Sequence, residues 1–272
     1  MLQSFTNEPI KMKFLYLIFI VLLFSLASCN DDDSLPQGEG QLIIEFDNRI
    51  GEENLELNTN YTNTNGEPFQ LSKLNYYISN IKLQARDGKE FVVPQDSCYF
   101  LVMEDDEESQ EVVLKDIPAG DYSQIVFTIG VDSLRSTMDL TKRQGVLDTA
   151  NGKDDMYWTL NLGYIFLKME GISPVAPADQ DHKFYYHIGG YGGYDTPGLN
   201  NIREATIDMG NAVAQVRTNK PPEVHLHVDV LEFFKNPSTI SIAAHPAVMN
   251  GDYSKTVSGN YVNMFKYDHV HN

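Results

Sequence analysis

The sequence predicts an all-β chain: a single antiparallel β-sandwich, immunoglobulin-like in layout, with long loops and few short helices. Three observations predict it. Short segments rich in β-branched and aromatic residues recur from Gln41 to Ala243, turn signals separate them, and no stretch carries a long helical apolar period. Gln41–Phe46 is the first such segment and Leu71–Leu83 the second. The second runs into Arg86-Asp87-Gly88-Lys89, an Asp-Gly turn that closes a hairpin onto Glu90–Val93. Further strands are predicted at Tyr99–Met103, Glu111–Leu114, Tyr122–Ile129, Tyr157–Glu170, Lys183–Ile188, Arg203–Met209, Glu223–Val230 and Thr239–Ala243. Pro118-Ala-Gly-Asp121, Asn151-Gly152, Pro221-Pro222 and Asn250-Gly251 mark breaks between them. Short helices are expected at Val230–Lys235 and Ser258–Phe265.

This domain is expected over residues 41–272, and what precedes it has a different character. Phe14 to Ala27 is an apolar run behind Lys11 and Lys13. It is shorter than the ~20 residues that cross a bilayer comfortably, and a basic flank before a short apolar run is the layout of a secretory signal. Leu26-Ala27-Ser28-Cys29 resembles a bacterial lipobox. Residues 1–28 are therefore expected to be a lipoprotein signal peptide, with Cys29 carrying a lipid anchor to the membrane. Residues 29–40 hold Asp31, Asp32 and Asp33 and then Gly and Pro, the composition of an acidic flexible tether. Acidic residues directly after a lipobox resemble an outer-surface export signal. The expected location is the outer membrane or cell surface, with a periplasm-facing anchor as the alternative.

Charge narrows the partners. The chain carries a net charge of −18, and removing residues 1–28 takes away two lysines and one glutamate. Such a field repels nucleic acid and anionic headgroups and favours cations. With Cys29 lipidated, Cys98 has no intramolecular disulfide partner, so stability must come from a packed core. Cys98 has no cationic neighbour in sequence to activate it, so it reads as an inert buried thiol. The chain has no Gly-x-Ser-x-Gly elbow, no phosphate-cradling loop and no His-Glu-x-x-His helix. Gly189-Gly-Tyr-Gly-Gly193 follows a strand and opens no helix, and the acidic loop Glu104–Glu108 lacks the spaced ligands of a calcium loop. A non-enzyme is expected.

All seven histidines lie after position 181, and four of them form two His-x-His pairs, His225/His227 and His269/His271. Residues i and i+2 of a strand share a face, so each pair sets two imidazoles side by side. Imidazole suits copper, zinc and nickel. His187, His225 and His227 are the candidate metal ligands. Met156, Met209, Met249 and Met264 could add thioether sulfur for Cu(I), although methionine ordinarily fills gaps in a core. The single tryptophan, Trp158, reads as a packing indole whose N–H needs one partner.

Several blocks are similar to the MbnP-like copper-binding family: Tyr76-Tyr-Ile-Ser-Asn-Ile81, Pro118-Ala-Gly-Asp-Tyr122, Gly130-Val-Asp-Ser-Leu-Arg135, Gly145-Val-Leu-Asp148, Ala150-Asn-Gly152 and Met156-Tyr-Trp-Thr159 with Gly163-Tyr-Ile165. Lys168-Met-Glu-Gly171, His187-Ile-Gly-Gly190, Asn260-Tyr-x-x-Met-Phe265 and Asp268-His-Val-His-Asn272 extend the likeness over nearly the whole chain after Cys29. The resemblance implies an envelope β-sandwich associated with copper capture. In some members it also implies a tryptophan oxidised to kynurenine by a partner dihaem enzyme, which joins histidines at copper. Members often show Trp-x-Trp in this block, and here Leu160 stands at the second position. Trp158 is thus the candidate modified or site-packing residue. A dihaem oxidising enzyme or an outer-membrane transporter is the implied protein partner. The competing reading is a surface adhesion or glycan-binding module, resting on Tyr185, Tyr186, Tyr191 and Tyr194 around the Gly-rich loop. A structural partner of an outer-membrane system is a third.

Overall fold

The computed structural model describes residues 37–150 and 155–272; Cys29, the signal peptide, most of the tether and the Asn151-Gly152 turn lie outside the described residues. Alternation of apolar and polar side chains sets the first strand, β1 (Glu39–Ile50), in which Leu42, Ile44 and Phe46 are buried and Glu45 and Asp47 face out. It begins inside the stretch expected as tether. The strands that follow are β2 (Glu53–Asn54), β3 (Tyr61–Thr62), β4 (Pro68–Ala85), β5 (Glu90–Val92), β6 (Tyr99–Met103), β7 (Glu111–Pro118) and β8 (Gly120–Ile129). Then come β9 (Tyr157–Thr159), β10 (Gly163–Ile172), β11 (Lys183–Gly189), β12 (Arg203–Asp208), β13 (Ala214–Val216), β14 (Glu223–Asp229), β15 (Ala247–Val248) and β16 (Phe265–His271). The α-helices are short: α1 (Ser133–Thr137), α2 (Val230–Lys235) and α3 (Tyr253–Tyr261). The fold is all-β and sandwich-like.

Two sheets face each other. The smaller has the order β16-β14-β1-β2, with β7 also on β1; the larger has the order β12-β8-β4-β10-β11-β15 with β3, β5, β6, β9 and β13 on its members. Most pairings are antiparallel, but β1 runs parallel to β14, and β11 parallel to β15. The N-terminal strand therefore enters the sheet beside a strand 180 residues later, Glu45 opposite His225 and Asp47 opposite His227. Phe46 knits the layers together: its ring meets Tyr76 of β4 at 6.2 Å, Phe127 of β8 at 5.7 Å and Phe265 of β16 at 6.2 Å, all edge-on. Such pairs contribute about 0.5–1.5 kcal/mol each beyond burial, and Phe265 thereby fixes the start of the last strand.

Tyr76 and Tyr77 point to opposite faces of β4, so Tyr77 joins a second cluster with Met103, Leu147, Met156, Tyr164 and Tyr191. Trp158 packs on that cluster half-buried. Gly189 makes room for it, since a Cβ there would lie 2.9 Å from the indole and 2.3 Å from the Tyr164 carbonyl oxygen.

Several segments differ from the sequence expectation. Tyr157–Glu170 is a hairpin rather than one strand, because Gly163 takes φ 77° and a Cβ there would sit 2.5 Å from the Tyr191 ring. Thr239–Ala243 is not a strand: Glu67 claims its backbone, accepting from Ile242 N–H at 2.9 Å and Ala243 N–H at 3.1 Å. The C-terminal helix starts earlier than expected, at Tyr253, and the chain then turns into β16, where no strand was expected. The short β2, β3, β13, β15 and α1 were also not predicted. The helix Val230–Lys235 falls where the sequence puts it, and Asp229 caps it by accepting from Leu231 N–H.

Candidate metal centre

The outer face of β1, β14 and β16 gathers imidazoles and carboxylates. Across β14 and β16, His225 lies opposite His269 and Glu223 opposite His271. A β-bulge between these strands decides which way the histidines point. Counting alternately from buried Phe265 would send His269 and His271 inward; the shift at Asp268 absorbs one residue and turns them outward, while Tyr267 and Val270 pack on the core.

The rings converge. His225 and His269 stack with centroids 4.2 Å apart and planes within 9°, and His271 meets both edge-on at 5.1 and 4.7 Å. Two of the three are oriented by carboxylates. His225 Nδ1–H donates to Glu45, and His269 Nδ1–H donates to Asp268 at 2.7 Å. Because a carboxylate can only accept, the proton of each neutral ring is fixed on Nδ1 and the lone pair on Nε2. The Nε2 of His225 is buried without a hydrogen-bond partner. The Nε2 of His269 lies 3.1 Å from that of His271. A carboxylate on the far nitrogen of an imidazole is the usual outer support of a metal ligand.

Two groups of side chains could hold an ion among the described residues: His225 with His269 and His271, and His225 with Glu45 and Glu223. Both run through His225. In the second group Glu223 Oε1 lies 3.8 Å from His225 Nε2. The residues present fit a transition-metal ion on two grounds: an orphaned, buried imidazole nitrogen, and a nitrogen-rich donor set backed by acids. Burial disfavours the charge of Asp268, yet the bond from His269 and the nearby His227, His269 and Arg49 hold its carboxyl below the usual carboxylate range. It therefore stays an acceptor.

The three histidines singled out in the sequence do not come together as one site. His225 sits at its centre. His227 shares the strand and face but is occupied: its Nε2 is 2.8 Å from the Arg49 guanidinium and 3.0 Å from Asp268. His187 lies on β11 of the other sheet, 2.7 Å from Glu170, and burial pushes it below the ordinary imidazole range despite that carboxylate. His269 and His271 were visible as a His-x-His pair, but the expected helix up to Phe265 hid the strand that presents them. Alternation through Phe265-Lys-Tyr-Asp-His-Val-His271 was the available signal. Glu45, Glu223 and Asp268 carried none, since acidic residues are common throughout this chain.

Elsewhere, Met156, Met209 and Met264 are buried in apolar clusters and Met249 is exposed. Cys98 is fully buried, accepts from Ile81 N–H, and burial raises its thiol to about 11. Of the tyrosines around the Gly-rich loop, Tyr186 and Tyr191 are buried, leaving only Tyr194 well exposed.

No curated protein matches the chain. Among solved structures, MbnP from Methylosinus trichosporium matches with a TM-score of 0.52 and 14% identity, over 79% of this chain and 82% of that one; at that identity the likeness is one of fold. The MbnP family model matches residues 39–250, a span that includes Trp158 and His225 and ends before His269 and His271. The chain belongs to the MbnP family.

Proposed function

We propose that this protein binds a transition metal, copper foremost, at His225, His269 and His271, as an envelope lipoprotein that captures or hands on the ion rather than transforming a substrate. The observation that carries it is the buried Nε2 of His225, without a hydrogen-bond partner and backed through Nδ1 by Glu45. Membership of the MbnP family supports copper among the ions imidazole accepts. The net charge of −18 draws cations to the face. Lipidation of Cys29 and placement at the outer membrane or cell surface belong to this reading, as does a protein partner that delivers or removes the ion. Trp158, half-buried against Gly189, takes a packing role here.

The test is metal retention by the purified chain after dialysis against Cu(II) and Cu(I). About one equivalent is expected in the native protein, and none in the His269→Ala plus His271→Ala variant. His187→Ala is expected to behave as native. Equal retention by the double variant would sink the proposal. The glycan-binding reading loses its platform with Tyr186 and Tyr191 turned into the core.

A further inference from the structure

Apart from the metal centre, we infer that a cavity walled by α1 and residues 141–147 binds an organic carboxylate, with Arg135 as its anchor. The cavity measures about 480 Å³, inside the range of small-molecule sites, and its walls include Asp96, Tyr99, Arg135, Lys142, Val146 and Leu147. The chain as a whole is acidic, with a net charge of −18, yet two of the three charged residues in this wall are cations. Arg135 is rigidly placed, with only 3% of it exposed. Its Nη1 donates to the Lys142 carbonyl at 2.6 Å, and its guanidinium lies 4.8 Å over the Tyr99 ring. Asp132 fixes both sides of that contact, accepting from Arg135 N–H at 2.9 Å and from Tyr99 O–H at 2.5 Å.

The group that answers this charge is loosely held by contrast. Arg135 Nη2 donates to Asp96 Oδ1 at 2.5 Å, but the Asp96 side chain is 81% exposed, and solvent screens such a pair. The Nε of Arg135, the other donor on that edge of the guanidinium, is buried with no hydrogen-bond partner. A carboxylate matches two such donors with two parallel bonds, whereas Asp96 takes up one. Asp96 thus stands where a ligand carboxylate belongs, as an exchangeable group on the rim. A ligand that displaces it also meets Lys142. The bond and charge of Arg135, and then the charge of Lys142, already hold the Asp96 carboxyl below the usual carboxylate range. Tyr99, Val146 and Leu147 add an apolar wall beside the cations, so the cavity suits a carboxylate that carries an apolar body.

The test titrates the purified chain, held in chelator, with benzoate, and with acetate and inorganic phosphate for comparison. Nuclear magnetic resonance follows the Arg135 Nε–H and the Val146 methyl groups. Saturable benzoate binding that shifts both signals is expected, tighter than that of acetate. Asp96→Asn removes the competing carboxylate and should bind benzoate about 2- to 5-fold more tightly, while Lys142→Ala should bind it about 2- to 5-fold more weakly. Both variants should melt close to the native chain. Arg135→Lys keeps the charge but loses the paired donors, and should bind more weakly than either. Absence of a saturable shift with benzoate in both the native chain and Asp96→Asn overturns the inference. Phosphate binding in place of benzoate overturns the carboxylate class. Asp96→Asn binding no more tightly than the native chain overturns the exchange at Arg135.

Discussion

Glu104 shows how much a single side chain here depends on its neighbours. Burial, opposed by the bond from Asn48 at 2.9 Å and reinforced by Asp47 and Asp105, raises its carboxyl from 4.5 to about 7. Asn48 in turn accepts from Tyr76 at 2.9 Å, so the acid is the outer end of a buried polar chain. The folded protein thus holds a proton that the unfolded chain gives up near 4.5. The stability linked to this proton is full below that range and is lost as pH rises through about 7. Glu104→Gln keeps an acceptor for Asn48 and removes the charge. Its melting temperature, measured in chelator, is expected to exceed the native value above neutrality and to converge with it in mild acid. A pH profile parallel to the native one would show that Glu104 is not the titrating group.

At the scale of elements, Glu67 does the work of a neighbouring strand. It accepts from Asn63 at 2.8 Å, Ser241 at 2.7 Å and the N–H groups of Ile242 and Ala243. Burial opposes its charge, but those bonds hold its carboxyl below the usual range, so the stability it contributes is lost as pH falls through that lowered value. Glu67→Ala is expected to cost roughly 3 kcal/mol, because it strands buried N–H donors, and to lower the melting temperature by about 6–12 °C. Glu67→Gln should cost visibly less. The same residue explains one limit of the sequence. Thr239–Ala243 has strand composition, yet a side chain from 175 residues before Ile242 satisfies its backbone, and nothing local encodes that. By contrast Tyr99–Met103 and Val230–Lys235 are placed correctly, because a short aromatic and apolar run and a capping Asp are local signals. The candidate centre was half legible. His225 stands out through its His-x-His spacing, whereas the bulge at Asp268 that presents His269 and His271 is set by pairing with β14.

For the whole molecule, an ion at the centre would tie β14 to β16, the outermost strand of the smaller sheet, with β1 reaching in through Glu45. At a free metal concentration a hundredfold above Kd, linkage stabilises the fold by about 2.7 kcal/mol. That corresponds to a rise in melting temperature of roughly 5–10 °C. Scanning calorimetry of the native chain should show the rise with Cu(II) and its reversal by chelator. A chain ending at Tyr267 should show no response to metal even where it folds. The parallel pairing of β1 with β14 gives this a temporal meaning. β1, β14 and β16 must all be paired before the donors meet, so a chain still being made, or still threading through a translocon on the proposed reading, would offer no such pocket. On the proposed reading, cargo would load only once these strands have paired, which would separate synthesis and transport of the polypeptide from exposure to a redox-active ion.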